Sequence, residues 1–364
     1  MNRIMNSYFS LAKDGNVMMD NDYNIELSRL NQIESVDIPH LKNVQMIVKD
    51  RVDSHSYDPI VYDHLKNLSD EPHLSNDLLE LRAGTAPKDV PNIPYPDVKV
   101  DIKYTNELGR RVRYMRIYRK DNSTSSQKAL VYLHGGAYYG GTVEDTLPFL
   151  RHLATKFNGI IYSVDYGLAP ENPYPSGLED CLAVLIEASN NHSQVSIAGD
   201  SAGASMALGV SQLSHTMGIC NIYKHILFYP TVVHGSNHEG SLWNDHLIPV
   251  NDEQRRTLHN NYSQFKELDK IMTDFYIAGN NRDLSAPILS PLYADPMTFK
   301  KILVMTGEFD PFRLQDEAFV QKVGMAGCEA KYIRYGGLGH AFLNYVGRIP
   351  AVEDALNECA LALN

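Results

Sequence analysis

The sequence predicts an α/β fold in which a mostly parallel central sheet is flanked by helices. After residue 128, short and continuously apolar runs recur, and stretches with helical periodicity separate them. Such runs are typical of strands covered on both faces, and their alternation with helices indicates consecutive βαβ units. The predicted strands are Ala129–Leu133, Ile160–Val164, Val195–Ala198, Ile226–Tyr229, Ile302–Thr306 and Tyr332–Tyr335. Two of the predicted helices are Leu178–Glu187 and Ala204–Leu213.

A hairpin is predicted in front of these units. Apolar and polar residues alternate at 98–104 and again at 112–118, as expected for half-buried strands. Residues 1–96 are polar and irregular, and they end in a proline-rich stretch from Pro87 to Pro96 that breaks regular structure. We therefore predict that residues 1–96 form an N-terminal accessory or cap segment.

The remainder of the chain, 97–364, is predicted to be the core. Residues 231–300 interrupt the alternation of predicted strands and helices. They are polar, rich in asparagine and histidine, and contain the single tryptophan, Trp243. An insertion of this length between core strands is usually functional. We predict that it forms a helical cap or lid.

The bulk composition excludes several classes of protein. Of 364 residues, 43% are hydrophobic and 21% are charged, as in an ordinary globular protein with a sizeable core. The formal net charge of -11 repels nucleic acid and anionic lipid, so neither is expected as a partner. Residues 1–22 lack the apolar stretch of a secretory signal, and no apolar run reaches the ~20 residues that cross a bilayer. We predict a soluble cytoplasmic protein whose scattered cysteines are reduced.

The strongest local signal is a G-x-S-x-G pattern at Gly199–Gly203, between a predicted strand and a predicted helix. In this arrangement the serine lies on a tight strand-to-helix turn, and the flanking glycines remove side chains that would clash there. The following helix directs its positive N-terminus toward the reaction centre. Ser201 is therefore the predicted nucleophile, and Asp200 is expected to order the turn through hydrogen bonds.

A second glycine-rich loop, from His134 to Gly141, follows the first of the predicted core strands. Backbone N–H groups in such a loop approach an ester carbonyl closely and stabilise the anion that forms when a serine attacks it. We expect the His134 side chain to be a structural hydrogen-bonding group. The predicted oxyanion hole consists of Gly135, Gly136, Ala137 and, directly after the nucleophile, Ala202.

The other two members of a serine triad are expected later in the chain, acid before base, each just past the end of a strand. Asp310 meets this condition and is the predicted acid, with Glu308 on the same loop as the alternative. His340 follows a glycine-rich turn after the last predicted strand, and no other histidine occurs beyond His259. His340 is therefore predicted to take the serine proton, and Asp310 to hold the imidazole in the required tautomer.

Together these motifs resemble the hormone-sensitive-lipase-like family of α/β-hydrolase carboxylesterases, which includes bacterial acetyl esterases. The resemblance extends from about Val98 to the C-terminus. It implies an α/β-hydrolase fold with a cap, a site without metal or cofactor that hydrolyses small acyl esters, and frequent formation of a homodimer through a core edge strand. The matching segments are His134–Ala137, Val164–Glu171, Gly199–Gly203, Glu308–Arg313 and Gly339–Phe342.

Three positions depart from the pattern of that family. Ala137 stands where a third glycine is common, and Ala204 stands where a glycine usually follows the serine turn. An alanine still donates its backbone N–H, so Ala137 is compatible with catalysis. Gly167 stands where an arginine is typical, and we expect its loss to weaken the local bracing of the core.

The triad leaves the substrate open. Our principal interpretation is a serine carboxylesterase acting on short-acyl or aryl esters through an acyl-serine intermediate. An amidase or peptidase would use the same triad, and a non-catalytic receptor on the same fold would bind a small ligand without turnover. The presence of His340 argues against the receptor. The residues predicted to line the substrate pocket are Tyr138, Tyr139, Trp243, Phe342 and Leu343.

Neither a metal nor a nucleotide cofactor is expected. His234 and His238 share a loop, but no third ligand follows at a useful spacing, so we predict that both are surface histidines. The chain also lacks a phosphate-binding glycine motif.

Overall fold

A computed structural model describes residues 9–11, 17–19, 21–34, 36–37, 43–69, 74–75, 77–87, 90–122, 126–234, 241–278 and 283–364. Its strands are β1 (Phe9–Leu11), β2 (Val17–Met19), β3 (Val36–Asp37), β4 (Val44–Lys49), β5 (Val98–Thr105), β6 (Val112–Arg119), β7 (Lys128–Leu133), β8 (Ile160–Asp165), β9 (Gln194–Asp200), β10 (His225–Phe228), β11 (Lys301–Gly307) and β12 (Glu329–Tyr335). Its helices are α1 (Asn21–Asn31), α2 (Pro59–Leu65), α3 (Leu78–Thr85), α4 (Leu147–Lys156), α5 (Ser176–Asn191), α6 (Ala202–Met217), α7 (Arg255–Ile277), α8 (Arg313–Met325) and α9 (Pro350–Leu363).

Ten of these strands form one sheet, in the order β3, β4, β12, β11, β10, β9, β7, β8, β6, β5. Every neighbouring pair from β4 to β8 is parallel, whereas β3, β6 and β5 are joined antiparallel. The six apolar runs predicted from the sequence all lie in the parallel part. The prediction of a mostly parallel central sheet is therefore confirmed. Because neighbouring strands in this part run the same way, their carboxyl ends meet along one edge.

Helices cover both faces of this sheet. α5, α6 and α8 pack on one face, and α1, α4 and α9 pack on the other. α6 places fully buried Ala204 and Ala207 against the strands, so its backbone lies close to the sheet. The two helices predicted at 178–187 and 204–213 are the central parts of α5 and α6.

The sheet begins before residue 97, where the sequence placed the start of the core. β4 pairs in parallel with β12, so residues 44–49 extend the sheet from within the predicted accessory segment. No apolar run marks this strand, because it contains Gln45 and ends at Lys49. Lys49 is fully buried, and its Nζ lies 2.6 Å from a carboxylate oxygen of Asp354 and 2.9 Å from one of Glu358. These ion pairs compensate the cost of taking the ammonium group out of water.

In the described part of the predicted insertion at 231–300, one long helix, α7, is accompanied by short turns. α7 packs against α2, which belongs to the N-terminal segment. The two regions predicted to cover the site are thus in contact with each other. Within the ranges that the structure describes, no helix combines the length and the apolar character needed to cross a membrane.

Gly167, where the resemblance expects an arginine, lies beside a guanidinium group from another segment. Its backbone N–H donates to Asp180 Oδ2 at 2.9 Å, and Arg110 Nε donates to Asp180 Oδ1 at 2.6 Å. Arg110 also donates to Glu179 at 2.9 Å and to the hydroxyl of Ser176 at 2.9 Å. An arginine that precedes β6 therefore braces the first turns of α5 at this point.

Candidate active site

The predicted nucleophile lies on a strained turn between β9 and α6. Ser201 has φ 52° and ψ -122°, a conformation that costs a residue with a Cβ roughly 1–3 kcal/mol. A Cβ on Gly199 would lie 2.5 Å from the carbonyl carbon of Gly203, and one on Gly203 would overlap the carbonyl oxygen of Leu133. The Ser201 N–H donates to the Phe228 carbonyl at 3.0 Å. Close backbone packing therefore holds the serine at the carboxyl edge of the sheet.

The structure brings Ser201, His340 and Asp310 together. Nε2 of His340 lies 2.8 Å from Oγ of Ser201, and Nδ1 lies 2.9 Å from Oδ2 of Asp310. Asp310 is fully buried, and its Oδ1 accepts a hydrogen bond from the backbone N–H of Phe312 at 2.8 Å. Both carboxylate oxygens thus have partners, and the imidazole is held with its second nitrogen toward the serine.

Glu308, the alternative acid, lies on the same loop but points elsewhere. Its Oε2 accepts the backbone N–H of Gly337 at 3.0 Å, and its Oε1 lies 3.0 Å from Nδ1 of His55. Its own backbone carbonyl accepts a hydrogen bond from Arg313. Of the two carboxylates, only Asp310 hydrogen-bonds His340.

Aromatic rings enclose the imidazole of His340. Tyr229, Phe265 and Phe312 approach it edge-on, with ring centroids at 4.9, 4.8 and 5.3 Å. These contacts restrict rotation of the ring. The hydrogen bonds to Asp310 and Ser201 are therefore supported by packing from three different segments of the chain.

The loop after β7 provides candidate oxyanion donors. Gly136 has φ 119°, and a Cβ there would overlap the carbonyl oxygen of Gly140. Ala137 follows in the left-handed region with φ 57°. In the part of the chain that the structure describes, the N–H groups of Gly136, Ala137 and Ala202 have no backbone acceptor. These three groups are available to a substrate oxygen.

The prediction that Gly135 belongs to the oxyanion hole is wrong. Its backbone N–H donates to Asp200 Oδ1 at 2.9 Å, and the same oxygen accepts the Tyr132 hydroxyl at 2.7 Å. A Cβ on Gly135 would lie 2.5 Å from the other carboxylate oxygen of Asp200. Asp200 therefore joins the oxyanion loop to the serine turn, which agrees with the ordering role predicted for it. Burial raises the pKa of this carboxyl group.

His134 lies beneath the same loop. Its ring is stacked on Tyr166 at a centroid distance of 4.3 Å, and its Nδ1 lies 2.7 Å from the Gly135 carbonyl oxygen. Burial lowers the pKa of His134, because a charged imidazole would lose its hydration there. A neutral and enclosed imidazole fits the structural role that the sequence predicts.

A cavity of about 400 Å³ opens at Ser201 and His340. The loops after the strands form one of its walls, which we call the core wall. The opposite wall, which we call the covering wall, comes from two other regions: residues 84–87 with His64, and α7 with Phe265, Leu268 and Met272. The sequence did not identify these residues. The three α7 residues are spaced three and then four positions apart, which places them on one face of the helix. This spacing was the sequence signal that could have identified them.

Only one of the five residues predicted to line the substrate pocket, Tyr139, does so. Tyr138 is turned away and stacks on Tyr276 with centroids 4.0 Å apart. Trp243 packs between Tyr262 and Phe312 at 5.3 and 5.6 Å.

Phe342 and Leu343 also lie outside the cavity, in the hydrophobic core. The ring of Phe342 packs edge-on against Tyr229 at 4.8 Å. Both residues are fully buried under the turn that carries His340. The predictions for Tyr138, Trp243, Phe342 and Leu343 are therefore wrong, because apolar side chains near a site pack into the core unless a gap faces them.

The prediction of a surface position for His234 is also wrong. His234 is buried, its Nε2 lies 2.6 Å from the Tyr138 hydroxyl, and its Nδ1 lies 3.7 Å from Asp269 Oδ1. His238 lies outside the described residues. Among those residues, no group of three or more histidine, cysteine, aspartate or glutamate side chains is arranged to hold a metal ion.

The comparison with known families agrees with this geometry. A model of the α/β-hydrolase fold family matches residues 130–344, which is more than half of the chain. The chain belongs to this family. The resemblance to hormone-sensitive-lipase-like esterases, inferred from the motifs, is confirmed.

Individual relatives extend beyond the matched region. Carboxylesterase NlhH of Mycobacterium tuberculosis is 25% identical over 282 residues, which cover 74% of this chain and 83% of the relative. An acetyl esterase of Salmonella enteritidis is 27% identical over 249 residues, which cover 65% of this chain and 72% of the relative. An esterase of Pyrobaculum calidifontis has the same fold, with a TM-score of 0.69, 23% identity, and coverage of 84% of this chain and 98% of that one.

Proposed function

We propose that the protein is a serine carboxylesterase in which Ser201, His340 and Asp310 form the catalytic triad. The observation that carries the proposal is a pair of hydrogen bonds: Nε2 of His340 lies 2.8 Å from Ser201 Oγ, whose proton it accepts, and Nδ1 lies 2.9 Å from Asp310 Oδ2, to which it donates. Nucleophile and base lie within hydrogen-bond reach, and a third group orients the base, as nucleophilic catalysis requires. Family membership and the esterase relatives support the same reaction.

In the first half-reaction, Oγ of Ser201 attacks the ester carbonyl while Nε2 of His340 takes its proton. The buried carboxylate of Asp310 stabilises the imidazolium that forms. The carbonyl oxygen becomes an anion, which the N–H groups of Gly136, Ala137 and Ala202 bind. Each donor of this kind contributes roughly 3–4 kcal/mol to lowering the barrier. His340 then returns the proton to the leaving alcohol oxygen, and an acyl-serine remains.

In the second half-reaction, water replaces the alcohol. His340 takes a proton from the water as its oxygen attacks the acyl carbon, and the same N–H groups bind the second oxyanion. When this intermediate collapses, the acyl–oxygen bond to Ser201 breaks, and His340 gives the proton back to Oγ. The products are a carboxylic acid and the restored serine.

The substrate is a small ester with a short acyl group, or an aryl ester. The cavity of about 400 Å³ lies near the lower end of the range for ligand pockets. Its covering wall is apolar at Phe265, Leu268 and Met272, which suits an acyl chain or an aromatic ring. Within the described residues, no lysine or arginine lines the cavity, and Asp145 does. Both features disfavour esters that carry a free carboxylate.

Four further assignments follow from the sequence analysis. We propose that parts of residues 1–96 and of residues 231–300 cover the site, since His64 and residues 84–87 from the first range and α7 from the second form the covering wall. We also propose a cytoplasmic location and a homodimer. The acidic surface suggests that nucleic acid is not a partner.

Fluorophosphonate labelling followed by mass spectrometry tests the nucleophile. We expect a single adduct on the peptide that contains Ser201, and no adduct in Ser201→Ala. Ser214→Ala is the matched control, because Ser214 lies at the far end of the same helix and bonds the Cys220 carbonyl. It should label at the wild-type rate. An adduct on another residue, or ester turnover by Ser201→Ala, would contradict the proposal.

Nitrophenyl esters of increasing acyl length test the substrate class. Efficiency should be greatest with acetyl to butyryl groups and should fall as the chain lengthens. A matched pair of nitrophenyl ester and nitroanilide with the same acyl group separates esterase from amidase. Greater efficiency on the anilide would favour an amidase, and tight ligand binding without any turnover would favour a receptor.

A further inference from the structure

We propose that Tyr138 and His234 are positioning residues for the oxyanion hole, an inference that rests on the proposed esterase function. Their buried hydrogen bond holds the backbone of the loop that presents the N–H groups of Gly136 and Ala137. Neither side chain lines the cavity. Both therefore act through the loop and not on the substrate.

The loop needs such support because its backbone is unfavourable. Ala137 and Tyr138 are consecutive residues with a Cβ in the left-handed region, at φ 57° and 65°. Conformations of this kind persist only where the surrounding structure determines them. The loop's shape also decides where its N–H groups lie, and an oxyanion hole works only when they are fixed in advance.

Tyr138 is held on every side. Its ring stacks on Tyr276 of α7 at a centroid distance of 4.0 Å and an angle of 10°. Its hydroxyl lies 2.6 Å from His234 Nε2. Its carbonyl accepts the backbone N–H of Ala169 at 3.0 Å.

His234 is in turn anchored to other residues of the predicted insertion at 231–300. Its backbone N–H donates to the Ser290 hydroxyl at 2.9 Å, and that hydroxyl donates to the Leu284 carbonyl at 2.6 Å. Its Nδ1 faces Asp269 of α7 across 3.7 Å. This arrangement favours an Nδ1–H tautomer, so that Nε2 accepts the proton of the Tyr138 hydroxyl. The oxyanion loop, α7 and the segment that carries His234 thus meet at the side chain of Tyr138.

Tyr138→Phe removes this hydroxyl and keeps the stacked ring. We expect kcat on a short nitrophenyl ester to fall by about tenfold to 100-fold, less than the loss from deleting a whole oxyanion donor. KM should change by less than about threefold, because the cavity wall is intact. Tyr162→Phe is the matched control. Tyr162 is also buried and bonds a histidine Nε2, that of His192, at 2.8 Å, but it lies on β8 away from the loop. The kcat of Tyr162→Phe should equal that of the wild type.

Two further measurements separate positioning from general loss of structure. A trifluoromethyl ketone forms an oxyanion with Ser201, so its inhibition constant should rise in Tyr138→Phe by the same factor as kcat falls. His234→Gln keeps an acceptor for the hydroxyl and should retain most of the wild-type kcat. His234→Leu removes the acceptor and should lose as much as Tyr138→Phe, and the double variant should lose no more than either one.

The proposal is overturned if Tyr138→Phe and Tyr162→Phe lose the same activity, or if the ketone binds Tyr138→Phe as tightly as the wild type. It is also overturned if His234→Gln and His234→Leu behave alike. In each case a wild type that hydrolyses the ester leaves the esterase function standing. A wild type without any ester turnover would overturn both the function and this inference.

Discussion

The two walls of the cavity are built in different ways. The core wall consists of turns that directly follow strands of one sheet, and close backbone contacts at Gly199 and Gly203 determine its shape. The covering wall consists of His64, residues 84–87 and the apolar face of α7, which are held mainly by contacts of their side chains. The proposed triad and oxyanion donors all belong to the core wall, where the sheet fixes the backbone. We expect substrate selectivity to depend on the covering wall at Leu268 and Met272, whereas Phe265 of the same wall also packs on His340.

In the core wall, two similar substitutions on the loop after β11 should differ greatly in their effect on activity. Asp310→Asn leaves the imidazole without its carboxylate, and we expect kcat to fall by about 10⁴-fold. Glu308→Gln lies two residues earlier and bonds His55 and Gly337, so it should keep kcat within about tenfold of the wild type. Steady-state kinetics on one ester measures both variants. An equal loss in the two would mean that the triad acid is misassigned.

A methyl group should be damaging in one wall and harmless in the other. In Gly203→Ala the new carbon would overlap the carbonyl oxygens of Leu133 and His134, which should cost about 3 kcal/mol or more of stability and displace the serine. In Gly84→Ala the new carbon meets nothing within 4 Å, and alanine should stabilise α3 by roughly 0.5–1 kcal/mol. Urea unfolding monitored by circular dichroism decides between these expectations. A Gly203→Ala protein of wild-type stability would show that backbone contact does not determine the core wall.

The sheet beneath the core wall should make the protein sensitive to acid. Burial lowers the pKa of His225 to about 4, and its ring bonds Ser211 and the Lys301 carbonyl. An unfolded histidine has a pKa near 6.5, so between about pH 6.5 and 4 the unfolded state binds the proton and the folded state does not. Stability is therefore lost as the pH falls through this window, by about 3 kcal/mol in full.

His225→Gln isolates that contribution. At pH 7.5 the variant should be less stable than the wild type, because it loses the buried hydrogen bonds. Toward pH 4.5 the difference in unfolding free energy should shrink, since the variant has no imidazole to protonate. A difference that stays constant across the range would refute the assignment.

Substitutions in the covering wall should change the preference for acyl length. Leu268→Ala enlarges the cavity at its apolar covering wall, so the acyl length that is hydrolysed best should increase. The KM for nitrophenyl butyrate should rise by about tenfold or less. kcat should change little, because the residue bonds none of the triad. Lys270→Ala is the control on the same helix, exposed and paired with Glu267. A shift in acyl preference in both variants would point to a change in the whole helix.

Local sequence patterns predicted the order of the core elements, the serine turn, and the residues proposed as acid and base. Each of these depends on residues near in sequence: an apolar run with the turn that follows it, or glycines flanking a serine. Asp310 and Glu308 both lie just past a strand end, so the local pattern left both as candidates, and the choice of Asp310 agrees with its hydrogen bond to His340.

Long-range packing determines which side chains face the cavity and which strands complete the sheet. β4 contains Gln45 and a lysine whose burial depends on two carboxylates of α9, and no local pattern reveals such a pairing. His234 became a buried partner of Tyr138 because two distant segments pack together. Gly135 lost its predicted role because Asp200, 65 residues later, accepts its N–H. Contacts of this kind depend on where remote parts of the chain meet, and the local sequence around each residue does not contain that information.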